Sequence, residues 1–361
     1  MRYRKPDYFE QFKCIADKCP DTCCSGWQIV IDESSLDNYQ NIDHPFADKL
    51  RDSIDFEEGC YLCDNNRRCL MLNSDNLCEQ VLVMGEESLC DTCHLYPRHV
   101  EEFEGLREWS LSPSCPVAVH MILSQTDKLS VEETEDDLED PLLEEFEDFD
   151  YFLFTQLEDA RIPVLDMATD SSLSVNDRMR KLYLAGKEMQ SALEENNIGD
   201  IAQIAQGVNK MVQATDKSAG NIADILNFDA EYYVSGLEVL YELEQLNVDW
   251  EDYLDILRQY LEGNLNDLDK KPIIPEHEIY MENLLVAFLY TWFLGAVYDD
   301  EINAKILLSI FCVKMIEVMV LALKADGRED SIELWEDVTR RFLREVEHSE
   351  DNLILLEEKL V

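Results

Sequence analysis

The chain has 361 residues, 46% of them hydrophobic, enough for two or three domains with real cores. Its 78 acidic residues against 30 basic ones give a formal net charge of -48. Such a surface repels a phosphate backbone or an anionic membrane and draws lysine-rich partners over long range, so nucleic acid is not an expected partner.

The first residues, MRYRKPDYFEQFK, lack the apolar run of a secretory signal, so export is not expected and a reducing, cytoplasmic location is. Eleven of the twelve cysteines precede residue 116. An odd count, with Cys23 beside Cys24, argues against a disulfide framework and for a bound metal or cluster. Cys312, inside LLSIFCVKM, reads as a small buried hydrophobe.

Residues 1–125 form a cysteine-rich region broken by turn-forming clusters such as CPDTCCSG, CDNNRRC and LNSDNLC. Within it GWQIVID is expected as one short strand, SSLDNYQNI and HPFADKLRDSI as short capped helices, and VAVHMILS as a helix following Pro116. Residues 126–150 read as an acidic linker or helix start; the segment 131–150 holds twelve acidic residues and no basic one.

From 151 to 361 the pattern is a helical domain, with helices expected near 145–160, 175–195, 199–215, 226–246, 249–263, 277–298, 300–325, 330–347 and 350–360. Stops are expected at Gly263, at KKPIIP with Pro272 and Pro275, and at Gly327; Asp249, Asp300 and Ser331 are candidate caps. The uncharged run at 284–298 has fifteen residues, short of the roughly 18–20 that span a bilayer. The next apolar segment carries Lys305, Lys314 and Glu317, so the two are expected as a buried antiparallel pair outside any membrane. The fold class expected is mainly α, with an irregular cysteine-rich metal-binding N-terminal region packed on an α-helical C-terminal domain.

The cysteines are spaced Cys14-x4-Cys19-x3-Cys23-Cys24, then Cys60-x2-Cys63-x5-Cys69-x8-Cys78-x11-Cys90-x2-Cys93-x21-Cys115. Soft thiolates select zinc or iron–sulfur clusters, each closing with four ligands, so the chain permits two sites or one site with spare thiols. The Cys60/Cys63 and Cys90/Cys93 pairs suit tight knuckles, whereas the neighbouring side chains of Cys23 and Cys24 diverge toward different sites or different irons. His94, His99 and His120 are possible substitutes for a thiolate. A radical S-adenosylmethionine motif fails because Gly26 stands where its third cysteine is needed, and no Gly-x-Gly-x-x-Gly loop is present.

The ordered set FKCIADKCPDTCCSGWQIVID, CLMLNSDNLCEQVLVMGEESLCDTCHLYPR, SLSPSCP and ENLLVAFLYTWF resembles the flagellin lysine-N-methylase family across both halves of the chain. The cysteine half also resembles zinc- or iron-chelating cysteine-cluster proteins. The resemblance implies methyl transfer from S-adenosylmethionine to lysine side chains of flagellin, in a protein carrying an iron–sulfur cluster (4Fe–4S), with zinc as the alternative. It implies metal contact for Cys14, Cys19, Cys23, Cys24, Cys69, Cys78, Cys90, Cys93 and Cys115, whereas Cys60 and Cys63 look like additions to the family pattern.

A lysine amine must lose a proton before it attacks, and a sulfonium favours acidic or aromatic surroundings. Trp27, Tyr96 and Trp109 are candidate walls and Arg98 a candidate counter-charge; no catalytic residue is assigned. The competing readings are a non-catalytic zinc- or iron-binding interaction module and an electron-transfer protein.

Overall fold

The structure, a computed structural model, describes residues 1–142, 146–215, 226–264 and 273–360. Six strands form in the first 135 residues: β1 (Arg2–Pro6), β2 (Ile54–Asp55), β3 (Cys60–Tyr61), β4 (Arg98–Phe103), β5 (Leu106–Leu111) and β6 (Val131–Glu135). Five short helices accompany them: α1 (Glu33–Asn41), α2 (Ala47–Arg51), α3 (Glu79–Met84), α4 (Asp91–Leu95) and α5 (Pro116–Leu123). The helical half continues with α6 (Tyr151–Ala168), α7 (Val175–Glu194), α8 (Ile201–Thr215), α9 (Ala230–Glu242), α10 (Trp250–Asn264), α11 (Pro275–Trp292), α12 (Ala296–Asp299), α13 (Ile302–Ala325), α14 (Ile332–Glu347) and α15 (Glu350–Leu360).

The mainly α expectation holds, and each helix expected after residue 145 is present, most of them within a few residues; the first, expected near 145–160, runs later, to Ala168. The first starts at Tyr151, where the Asp150 carboxylate accepts from the Leu153 amide at 2.8 Å, a side-chain cap that fixes the start. The helix expected to start near 300 starts at Ile302 instead. Asp300 does not cap it; at φ 60° it ends α12 in the left-handed region, and Glu301 takes the cap position. Pro275 opens α11 at its first turn, where its missing N–H costs nothing, whereas Pro272 lies outside the described residues.

The four-stranded sheet, in the order β4-β5-β1-β6, is the main departure from expectation. The chain's first strand enters its middle, parallel to β5 and antiparallel to β6, so the start of the acidic segment is an edge strand rather than a linker. Its glutamates answer the basic N-terminus: Arg4 Nε lies 2.5 Å from Glu133, and Lys5 lies 3.8 Å from Glu132. The expected strand at GWQIVID does not form; Ser25 and Val30 make only isolated bridges to Arg68 and Cys60. The two short helices appear as α1 and α2, and Pro116 opens α5.

Two cores result. The larger runs from the sheet through α5 to α15 and is centred on α13, buried over nearly its whole length against α7, α10, α11, α14 and α15. Both α13 and the segment Pro275–Asp299 are long and apolar enough to cross a membrane by composition, but 89% of the most apolar window of α13 is packed inside the protein. Its charges are neutralised in place: Lys314 pairs with Glu317 and donates to Asn176 Oδ1 at 3.0 Å, and Lys305 meets Asp299 and Glu357 at 2.5 and 2.6 Å.

The smaller core, around Ile29, Ile31, Tyr39, Leu50, Ile54, Tyr61 and Met71, belongs to the cysteine region. A buried polar network closes it: Tyr61 Oη donates to Gln80 Oε1 at 2.7 Å, and Gln80 Nε2 donates to the Ser88 carbonyl at 2.6 Å.

Candidate functional site

All twelve cysteines are free, and Cys312 is fully buried in α13 as expected. The eleven others fall into groups. Cys24, Cys69, Cys78, Cys90 and Cys93 pack on the smaller core, and the Cys24 carbonyl accepts from the Cys69 amide at 2.9 Å. Burial, then the charges of Cys24, Cys63 and Cys78, push the Cys69 thiol up to about 12. The Cys93 thiol is raised by its hydrogen bond to Cys90 and by burial, with Cys24 and Cys69 adding to the effect. Cys14, Cys19, Cys23 and Cys115 form a second group of electrostatic neighbours, with only Cys115 inside the larger core. Cys24 stands between the two groups: it packs on the smaller core, yet its charge acts on Cys19 and its hydrogen bond to Cys23 lowers Cys24 to about 7 and raises Cys23.

Burial holds the Cys78 and Cys115 thiols up, whereas Cys90 is lowered, chiefly by its hydrogen bond with Cys93. Cys78, Cys90 and Cys115 each stand at the residue before a helix, and first-turn amides act against burial at each. Cys60 lies on β3 and Cys63 bridges to Cys69, so this pair borders the first group. Of the histidines, His99 bonds Glu101 at 2.7 Å and His120 bonds Glu336 at 2.6 Å. Among the described residues, no three histidine, cysteine, aspartate or glutamate side chains already close on a point as a metal would require.

The second thiol group faces α14. Arg340 and Arg344, both buried on that helix, pair with Asp21, Arg344 at 3.0 Å, and their charges act on Cys19 against the effect of burial. Gly26, at φ +92°, makes the turn that brings the segment onto this helix; a Cβ there would sit 3.5 Å from Arg344 and 3.6 Å from the Leu246 carbonyl. Arg67 completes the seam, donating to the carbonyls of Gln245 and Leu246 at 2.6 and 3.1 Å.

Beside this seam lies a cavity of about 420 Å³, walled by Trp27, Tyr96, Arg98, His99, Ser112, Trp292, Glu347 and His348, among others. Trp27 meets the His348 ring edge-on at 4.4 Å between centroids, and Tyr96 packs against both. Of the aromatic residues singled out in the sequence, Trp27 and Tyr96 thus share one wall, whereas Trp109 packs on Phe9 away from it. Arg98 lies over the Phe12 ring at 5.1 Å.

A string of hydrogen bonds runs along the cavity. Ser112 Oγ donates to Glu347 Oε2 at 2.5 Å and lies 2.6 Å from Ser114 Oγ, which is 2.7 Å from His348 Nε2 and 3.1 Å from Tyr96 Oη. Burial raises the Glu347 carboxyl to about 7, against the pull of Ser112 and His99. Burial and then Arg344 lower His348 to about 3, so its ring is neutral, and its Nδ1 is buried with no hydrogen-bond partner among the described residues. Tyr96 joins the two features, because the charges of Cys115 and Cys23 both act on its hydroxyl. A second, wider groove near Asp249, Asp255, Arg328 and Arg341 lies apart from the thiols.

Residues 161–361 match the family model described as the FliB lysine N-methylase C-terminal domain. The chain belongs to the FliB lysine N-methylase family. The matched region supplies Trp292, Glu347 and His348 to the cavity, together with the arginines of α14. The flagellar biosynthetic protein FliU of Salmonella muenchen is 27% identical over 142 residues, which is 36% of this chain and 81% of that protein. Proteins named lysine-N-methylase from Salmonella typhimurium and Salmonella choleraesuis are each 27% identical over 142 residues. That alignment covers 36% of this chain and 34% of each of those proteins, so it spans about a third of their length. No solved structure matches the chain.

Reading the sequence missed Glu347, His348, Ser112 and the arginines Arg340 and Arg344. A lone glutamate at the end of an amphipathic helix carries no local signal. The Ser-x-Ser preceding Cys115 and Pro116 was the one clue, a polar pair held next to a metal-candidate cysteine.

Proposed function

We propose that this protein transfers a methyl group from S-adenosylmethionine to lysine side chains of a protein acceptor, flagellin, in the cytoplasm. The family match supports a lysine N-methylase, and the observation that carries the reading is the aromatic cavity with its carboxyl at the seam of the two halves. Aromatic faces and a carboxyl suit a cationic sulfonium or an alkylammonium, and a mainly apolar lining lowers the cost of freeing an amine. Trp27 and Tyr96 would orient the reacting groups; the acidic surface would speed the approach of a lysine-presenting acceptor.

The thiols fit a soft metal by chemistry, since two groups of them gather around helix-start amides with arginines beside one group. Cys14, Cys19, Cys23 and Cys115 would hold an iron–sulfur cluster near Tyr96. Cys24, Cys69, Cys78 and Cys93, with Cys90 at hand, would hold a second metal tying the small core together. A bound metal or cluster supplies folding free energy to a region with few regular elements.

The test is incubation of anaerobically purified protein with methyl-labelled S-adenosylmethionine and flagellin. Label on lysine side chains is expected. Metal-replete protein that labels no lysine overturns the reading and leaves a non-catalytic metal-binding module.

A further inference from the structure

Glu347 is the last residue of α14 and stands half-buried on the cavity wall. One of its oxygens accepts from Ser112. The groups that face it are Ser112 after β5, His99 with its partner Glu101 on β4, the buried Cys312 thiol on α13, which the Glu347 charge pushes up after burial, and His348 next to it in the chain. His99 hydrogen-bonds Glu101 and acts on Glu347 only through its charge, and His348 is neutral, so among the described residues the Glu347 carboxylate has no ion pair of its own. Trp27 and Tyr96 stand nearby as faces for an alkyl stem ending in a cation.

We infer that this cavity takes the alkylammonium end of the acceptor lysine and that Glu347 is the catalytic group that removes its proton. The inference rests on the methylase reading for the chemistry that follows, but the ammonium site itself does not. The ammonium gives one proton to the Glu347 carboxylate. The nitrogen lone pair then forms the N–C bond to the donor methyl as its C–S bond breaks, and the electron pair leaves on sulfur as a neutral thioether. The residue lines a cavity open to solvent, and the protonated carboxyl returns its proton to water through it. With burial holding it at about 7, the carboxyl is about half ionised at neutral pH and basic enough to share a proton with a desolvated ammonium.

The experiment uses the full chain and n-butylamine as the probe, with binding measured by calorimetry between pH 5.5 and 9 in wild type, Glu347→Gln and Glu347→Asp. Thermal melting and metal content confirm that each variant is folded. Butylammonium is expected to bind wild type with an affinity that rises about tenfold per pH unit below 7 and levels off above it. Glu347→Gln is expected to bind at least about tenfold more weakly with no such rise, and Glu347→Asp to keep the pH dependence. Equal binding by wild type and Glu347→Gln, or a flat pH profile in wild type, overturns the site. Glu347-dependent binding without labelling of any lysine sinks the methylase reading and leaves the ammonium site standing. Lysine methylation by Glu347→Gln with the wild-type pH profile overturns the proton-removing role.

Discussion

Glu347 sets the pH behaviour expected of single residues. Its carboxyl moves from an ordinary 4.5 up to about 7 on folding, so the neutral form is the one the fold favours. That contribution is complete below 4.5 and is lost as pH rises through 7. Glu347→Gln, neutral at every pH, is therefore expected to gain melting temperature relative to wild type between pH 5 and 8, as thermal denaturation across that range would show. A constant difference would contradict it. At Cys23 and Cys24 the expectation concerns metal. With Cys23 proposed as a ligand beside Cys14 and Cys115 and Cys24 as one on the smaller core, Cys23→Ala and Cys24→Ala are each expected to lose one metal site and retain the other, by iron, zinc and sulfide analysis with visible spectra. If either single variant loses all the metal, the thiols form one site.

The elements differ in how openly the sequence announces them. After Tyr151, α8, α10 and α14 carry a clear 3.6-residue periodicity, whereas α11 and α13 announce themselves as long apolar runs between defined stops, and the structure returns them within a few residues. The sheet was not legible. Its central strand β5, LREWSL, buries Arg107, Glu108 and Ser110, so charge stands where alternation would show apolar side chains. Its partner β1 is about a hundred residues earlier, with no local turn to signal the pairing. Arg107 is met by Asp140 at 2.5 Å, and Arg161 on α6 by both oxygens of Glu108, with Arg4 also within 3.9 Å. The pair between β5 and α6 is buried on both sides, at 3% and 6% exposure. Arg161→Met strands the Glu108 carboxylate and is expected to cost about 3–5 kcal/mol in denaturant unfolding. A loss below about 1 kcal/mol would mean that Arg4 takes over the pairing.

At the scale of the whole molecule, the candidate site belongs to neither half alone. The cysteine region brings Trp27, Tyr96 and the serines, and the FliB-family half brings Glu347, His348 and Trp292. Residues 235 positions apart, Ser112 and Glu347, meet in one hydrogen bond, and no reading of local pattern finds such a pair. The cysteines were legible as metal candidates because eleven thiols before residue 116, an odd count with two of them adjacent, suit a soft metal better than a set of disulfides. Their division into two groups required the fold. With a net charge of -48, association with a lysine-rich acceptor is expected to slow steeply as salt rises, and stopped-flow rates from low to physiological ionic strength would show it. The most direct measurement is lysine labelling of flagellin by the metal-replete chain with methyl-labelled S-adenosylmethionine, wild type beside Glu347→Gln. The account predicts label on lysine nitrogen in wild type and a rate lower by about 100-fold or more in the variant. Absence of labelled lysine in wild type, with its metal intact, would contradict it.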